Sequence, residues 1–421
     1  MVVRPAGERL ATPEAEDRAI DYVLRLGRAL HAYGYASPAL ERALVTASTR
    51  LGLVGHFFST PTSIFVAFGS ESGQRTFLTR VEPGGLSLGK LADIDGNARA
   101  VVDGSLTPSE ALARIEAIEQ QPPPFSRLLE TIASGGASGA ACRLLGGGAG
   151  DIVVATGLGI LIGLAGLAAG RLRLQQGLFE LIASALVSAA ALMAASFGLG
   201  VSPAVSTLAG LIIVIPGFSL TIAMAELAAR HLVSGTARLA GAFTVFLAIT
   251  FGVAVGRQLV KALVGLPPPG AVVALPEWTL WAAVLVTPVA VTVLLQGRVR
   301  DMPWITLASI AGFLGGMAGN ALLGPAIGAC LGALSVGLAA HAYERWLERP
   351  ALVPLVPGVL LLVPGSTGFR SLALLVDQQV VIGIDAAFAT LLTAASLVAG
   401  LLMAEMIADV SARLPARLAG A

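Results

Sequence analysis

Residues 211–219 read Leu211-Ile212-Ile213-Val214-Ile215-Pro216-Gly217-Phe218-Ser219, a Pro-Gly pair set deep inside an apolar run. Residues 360–367 repeat the device as Leu360-Leu361-Leu362-Val363-Pro364-Gly365-Ser366-Thr367. Proline removes a backbone donor and clashes with the preceding turn, while glycine tolerates an open backbone, so both helices are expected to break partway across a bilayer. Paired interruptions at corresponding places in two halves of a membrane protein point to a transporter's binding centre. The plainer reading is a kink that only improves packing, since Pro and Gly are common in membrane helices.

Composition supports a bilayer setting. The 421 residues are 55% hydrophobic and 13% charged, against about a quarter charged in soluble domains, and the mean hydropathy is +0.81. Charged residues crowd before about Gln121, so the chain divides into a cytoplasmic α+β N-terminal domain (1–121), a Pro-rich linker (122–127) and two transmembrane halves (128–265 and 266–421). A net charge of +1 offers no field for nucleic acid, which is not expected as a partner. Cys142 and Cys330 lie in apolar runs without a CxxC or His companion and read as packing thiols; no metal or other cofactor is expected. Residues Met1 to Asp17 hold no apolar core followed by a small-residue cleavage site, so the front of the chain is expected to stay in the cytoplasm.

In the front segment, apolar residues recur at helical spacing from Arg18 to Leu53, and Ser37-Pro38 predicts an N-cap followed by Pro at N1. His56 to Phe68 and Gln74 to Val81 read as two strands joined at Ser70-Glu71-Ser72-Gly73. Leu88 to Asp103 is helical again, and Thr107-Pro108-Ser109-Glu110 is a capping box opening a last helix to about Gln120. The expected order is α-α-β-β-α-α. His56, Ser59 and Thr60 lack a GxSxG elbow or an adjacent acid, and Gly84-Gly85 with Lys90 lacks P-loop spacing. The segment therefore reads as regulatory or structural, not as an enzyme.

Candidate spans are Leu128–Leu145, Asp151–Gly170, Leu178–Phe197, Pro203–Ala228, Leu239–Val260, Pro276–Gln296, Trp304–Ala318, Leu322–Ala342, Ala351–Val376 and Val380–Ala408, about ten segments near the length that crosses ~30 Å of hydrocarbon. Basic residues follow every even-numbered span (Arg171 and Arg173; Arg230 and Arg238; Arg298 and Arg300; Arg345 and Arg349; Arg413 and Arg417). Short odd-numbered exits, such as Gly198–Ser202 and Gly319–Ala321, carry no charge. The positive-inside rule then places both termini in the cytoplasm of a multi-pass cell (inner or plasma) membrane protein. Arg257 and Lys261 are exceptions that can snorkel to the interface.

The Pro-Gly pairs fall in spans four and nine, offset by 148 positions (216 to 364). Five spans per half is an odd number, so the second half enters from the opposite side and the two breaks can meet near midplane. The fold class expected is mainly α: a polytopic membrane protein of about ten transmembrane helices in two inverted five-helix halves, with the small α+β domain in front. The N-terminal end of each following half-helix suits a carboxylate. Candidate solute-binding residues are Pro216, Gly217, Ser219, Pro364, Gly365, Ser366 and Gly368. Charged residues within or beside spans are functional candidates because burying them is costly: Asp151, Glu226, Arg238, Arg370 and Asp385 for proton or charge coupling. Glu180, Glu226 and Glu405 are expected within a turn or two of the cytoplasmic interface, where a solvated face competes with that role.

The runs Ile215-Pro216-Gly217 through Glu226-Leu227, Leu232-Val233-Ser234-Gly235, Ala237-Arg238-Leu239, Arg349-Pro350, Leu362-Val363-Pro364-Gly365-Ser366 and Gly368-Phe369-Arg370 resemble the threonine/serine exporter family. The likeness runs over nearly the whole chain, and Gly146-Gly147-Gly148-Ala149-Gly150-Asp151 is a looser match to a glycine-rich turn before span two. It implies a cytoplasmic module joined to about ten helices and export of small hydrophilic amino acids with protons as the coupling ion. In some relatives the halves are separate chains resembling succinate exporters, so a C4-dicarboxylate is the alternative solute, with Asp385 or Asp151 as the ammonium acceptor for an amino acid. A membrane-anchored enzyme or sensor is the alternative of another class, and self-association into a homo-oligomer stays open.

Overall fold

The computed structural model describes residues 12–69, 73–81, 85–197, 200–266, 273–362, 365–376 and 379–418. Helix α1 (Pro13–Ala32) starts where Thr12 accepts a bond from the Ala15 amide with Pro13 in the first turn, and α2 (Ser37–Arg50) follows. Strands β1 (Gly55–Thr60), β2 (Ser63–Phe68) and β3 (Arg75–Arg80) form an antiparallel meander, and α3 (Leu88–Asp103) and α4 (Pro108–Gln120) complete the layer.

Two expectations are corrected here. The long strand expected over His56–Phe68 is a hairpin, with Thr60 paired to Ser63 across Pro61-Thr62, because proline cannot donate to a ladder. Ser37 is not the cap of α2: Ala36 holds the N-cap position, and Ser37 and Pro38 are the first two helical residues. The capping box at Thr107 and Glu110 is present as expected.

One sheet face, with Ile64, Val66 and Phe68, closes on Ile20, Leu26 and Leu30 of α1, Leu40 and Leu44 of α2, and Ile115 of α4. Within this core Tyr22 donates to Asn97 Oδ1 (3.2 Å), and Asn97 donates to the Ala111 carbonyl (2.9 Å), satisfying both buried side chains. His31 is 5% exposed; its Nε2 meets the Thr60 carbonyl at 3.0 Å and its Nδ1 has no partner. Since a carbonyl only accepts, Nε2 carries the proton, and a second proton at Nδ1 would be an orphaned buried donor.

Burial accordingly holds the His31 pKa below its ordinary 6.5, the Arg238 cation adding to the depression while the Thr60 bond and Glu226 oppose it. The unfolded chain thus binds this proton more readily, so stability is intact above about pH 6.5 and drains as pH falls toward the folded value. In the full chain, hydrogen-exchange protection over α1, taken relative to the base-catalysed intrinsic rate at each pH, should fall between pH 7.5 and 5.5, and His31→Gln should flatten that dependence. Equal slopes for both proteins would remove His31 as the cause.

Beyond the linker come α5 (Arg127–Leu144), α6 (Ala149–Leu172), α7 (Gln176–Ser196), α8 (Pro203–Gly210), α9 (Gly217–Ala228) and α10 (Leu232–Val264). The second set is α11 (Trp278–Leu294), α12 (Met302–Leu323), α13 (Pro325–Leu347), α14 (Leu352–Leu360), α15 (Gly365–Val376) and α16 (Val380–Leu418). Among the described residues seven helical stretches are long and apolar enough to cross a membrane, and α9 and α11 are shorter apolar helices. The exit expected at Gly319–Ala321 lies instead at Gly324-Pro325. The Gly324 amide still bonds the Asn320 carbonyl (3.2 Å), and Gly324 takes φ +88 before proline opens α13.

The front layer docks on the ends of α9, α11 and α13. The Leu88 and Gly89 amides donate to the Leu295 and Gln296 carbonyls (2.9 and 3.0 Å), Asp93 pairs with Arg298, and Arg99 reaches Glu344 at 2.6 Å. The chain exits after spans four, six and eight therefore share one face with the N-terminal layer.

Candidate functional site

Pro216 lies between two short helices, and Gly365 opens a third. Helix α8 ends at Gly210 and turns follow over residues 211–215; Pro216 then has φ −81 and ψ 41 and the Gly217 amide bonds the Ile215 carbonyl at 2.8 Å, an inverse γ-turn from which α9 starts. The second run breaks between Leu360, the last residue of α14, and Gly365, the first of α15; Pro364 lies outside the described residues.

The starts of α9 and α15 touch. A Cβ built on Gly365 would lie 2.7 Å from Ile215 Cγ2, closer than real Cβ atoms approach, and a tight 3.2 Å from Gly217 Cα, so any larger residue here has to push Ile215 or the α9 backbone aside. The positive dipole ends of two half-helices consequently lie side by side. Gly217, Gly365 and Gly368 are buried, Pro216 and Ser366 half-buried, and Ser219 exposed. One turn along α15, a Cβ on Gly368 would meet Phe246 Cζ of α10 at 3.0 Å and Thr390 Cγ2 of α16 at 3.3 Å. Thr390 donates to Thr367 Oγ1 at 3.1 Å, and Thr221 to the Gly217 carbonyl at 3.2 Å. Phe246, Thr390 and Thr221 were not singled out from sequence, where a lone aromatic and two threonines in apolar helices carry no distinguishing pattern.

The charged candidates separate into different settings. Asp151, fully buried in the first turn of α6, accepts from Gly148 N (3.1 Å), Ser202 N (2.7 Å) and Ser206 Oγ (2.9 Å), so it caps its own helix and the start of α8. Glu226, near the end of α9, is also fully buried, so of the two readings weighed for it the solvated face does not hold; Glu180 is 4% exposed. Arg238 Nε lies 3.0 and 3.1 Å from the two Glu226 oxygens, Ser234 Oγ donates at 2.7 Å, and the Ser37 amide of the front layer donates at 3.0 Å. Glu405, Arg370 and Asp385 are exposed, and Glu405 lies 3.8 Å from Arg42.

The second half carries a related set of contacts. Buried Asp301, just before α12, accepts from Tyr343 Oη (2.9 Å) and from Arg349 (2.5 Å), which leads into α14, much as Asp151 holds the start of α8. Gly252 brings α10 against the α7 backbone at Leu181, and Gly400, 148 positions on, brings α16 against the α13 backbone at Cys330. In both halves the second half-helix packs on the last helix of its own set, α9 on α10 and α15 on α16, and each also crosses to the other set, α9 to α16 and α15 to α10.

Comparison with known proteins agrees with this architecture. A threonine/serine exporter family model matches residues 21–260 and a second threonine/serine exporter model matches residues 280–407. A threonine/serine exporter of Corynebacterium glutamicum is 24% identical over 333 residues, covering 76% of this chain and 67% of that protein. The pheromone-regulated membrane proteins 10 of Pichia sorbitophila and Debaryomyces hansenii are 24% and 25% identical, each covering 83% of this chain but 36% of their own length, so the chain spans just over a third of these fungal relatives. No solved structure matches. With family models covering the chain on both sides of the α10–α11 connection, the protein belongs to the threonine/serine exporter family of membrane transporters.

Proposed function

We propose that the chain is a proton-coupled exporter of threonine and serine that works by alternating access around the α9–α15 junction. The observation that carries this reading is the contact of Gly365 with Ile215 and Gly217, which sets two half-helix N-termini against each other inside apolar helices. Such a pair suits the solute's carboxylate. The matched contacts of Asp151 with Asp301 and of Gly252 with Gly400 support two five-pass halves related by an inverted repeat, rocking against each other about this junction. Arg230, Arg238, Arg298, Arg300, Arg345 and Arg349 flank the exits that share a face with the front layer, which supports a cytoplasmic location for that layer and both termini in a cell membrane.

Asp151 is committed to two helix caps, so Asp385, exposed on α16 and upstream of Thr390, is the better acceptor for the ammonium group or the coupled proton. The choice of threonine and serine follows the name of the Corynebacterium relative. Vesicles containing the purified chain and loaded with labelled threonine should lose label when a pH gradient is imposed, and Asp385→Asn should abolish the gradient dependence. Gradient-driven loss of labelled succinate with retention of threonine and serine would overturn the substrate assignment.

A further inference from the structure

Glu226 has one partner that does not belong to the membrane segment. Three bonds come from nearby sequence, two from Arg238 and one from Ser234, but the fourth is the backbone amide of Ser37, which stands 189 positions away in the first turn of α2. Ser37 Oγ also lies 2.8 Å from Ser234 Oγ. Because Ser234 already gives its proton to Glu226, Ser37 is the donor in that pair. The N-terminal end of a soluble-layer helix is therefore plugged onto a carboxylate in the last turns of α9, where the positive dipole end of α2 complements the buried charge.

The other end of α9 is the transport junction. Nine residues separate Gly217 from Glu226, about 14 Å at 1.5 Å per residue, so the helix behaves as a short rigid strut with one end at Gly365 and the other at Ser37. Its first turn is unanchored by any continuous helix, since α8 ends at Gly210 and the turns to Pro216 separate the two. What fixes its height and rotation is the packing along its sides and the bonds at Glu226.

We propose that Ser37 is a positioning residue for transport: through Glu226 the front layer sets α9, and with it the α9–α15 junction. Glu226 then serves as an anchor and not as the carrier of the coupled proton. This rests on the exporter reading for its flux arm, and on geometry alone for its second arm.

Ser37→Pro removes the donated amide and the hydroxyl together while suiting the helix. Proline is favoured in the first turn, and Ala36 already has the extended φ −70, ψ 148 that a following proline requires. Ser37→Ala keeps the amide and loses only the hydroxyl. In full-chain vesicles, Ser37→Pro should lower threonine turnover about tenfold with the half-saturating concentration within about twofold of the parent, and Ser37→Ala should stay within about threefold.

The second arm uses Ser219→Cys, on the exposed first turn of α9, in a chain with Cys142 and Cys330 replaced. Its labelling by a water-soluble thiol reagent should change at least severalfold when Ser37→Pro is added. If the parent moves no threonine or serine, the exporter reading fails while the labelling arm still decides whether Ser37 sets α9. Should Ser37→Pro not fold, Glu226→Gln carries the same two measurements, because it weakens the same junction from the other side. Turnover and labelling both unchanged in the folded variant would overturn the proposal, as would a loss of turnover that Ser37→Ala reproduces in full.

Discussion

Gly365→Leu stops efflux while leaving the protein inserted and folded. The first added carbon would already stand 2.7 Å from Ile215 Cγ2 and 3.2 Å from the Gly217 Cα, and three further carbons would occupy the space between the two half-helix starts. Overpacking of a tight contact costs ~1–3 kcal/mol, and the same carbons also fill the place assigned to the solute. Flux should therefore fall by roughly two orders of magnitude, the equivalent of about 3 kcal/mol. Gly157→Leu in α6 is the matched control, since nothing lies within 4 Å of a Cβ built there. Labelled-threonine efflux from vesicles measures both, and near-parental flux for Gly365→Leu would remove the α9–α15 junction from the transport path.

Arg238→Ala is the variant with the largest expected loss of stability. Glu226 is fully buried, and Arg238, 19% exposed and bonded to both carboxylate oxygens, is the cation paired with it among the described residues. Removing the guanidinium leaves a buried charge held by Ser234 and the Ser37 amide alone, and breaking such a pair from one side costs about 3–5 kcal/mol. Replacing both members by residues of similar shape, Glu226→Gln with Arg238→Met, should recover most of that loss because no uncompensated charge remains. Denaturant titration of the detergent-solubilised chain reads the difference. A single-variant loss under about 1 kcal/mol would mean that the pair is solvated in solution.

Much of the architecture could be read from residues alone where local chemistry and global position agree. Pro216-Gly217 and Pro364-Gly365 point to interruptions because each pair joins a missing backbone donor to a residue that tolerates open backbone. The capping box at Thr107 and the bounds of α3 were likewise legible, being set by neighbours in sequence. The missed features depend on distant partners or on competing signals. Thr60-Pro61-Thr62-Ser63 sits between two β-branched and aromatic runs, and those runs masked the proline that makes a hairpin of them. Asn320 looked like a turn, yet Gly324-Pro325 a few residues later is the stronger break. The burial of Glu226 had no local signature, since its cover is the start of α2, and a glutamate near a membrane interface ordinarily faces water. Ser37-Pro38 was visible as a helix start, but nothing nearby told which acceptor would complete it.

The docking of the front layer has a bearing on how the protein is made. Its partners are spread from Glu226 through Leu295 and Gln296 to Glu344, the last 245 positions from Arg99. A ribosome delivers the first layer early, but the surface it must seat on exists only after the segment carrying α13 has entered the lipid. A layer that emerges before the membrane helices is thus among the last parts to settle, and it waits with its seam open while they are threaded. Chains halted or mis-inserted before α13 would leave that seam uncovered, giving quality-control proteases a way to tell finished copies from unfinished ones.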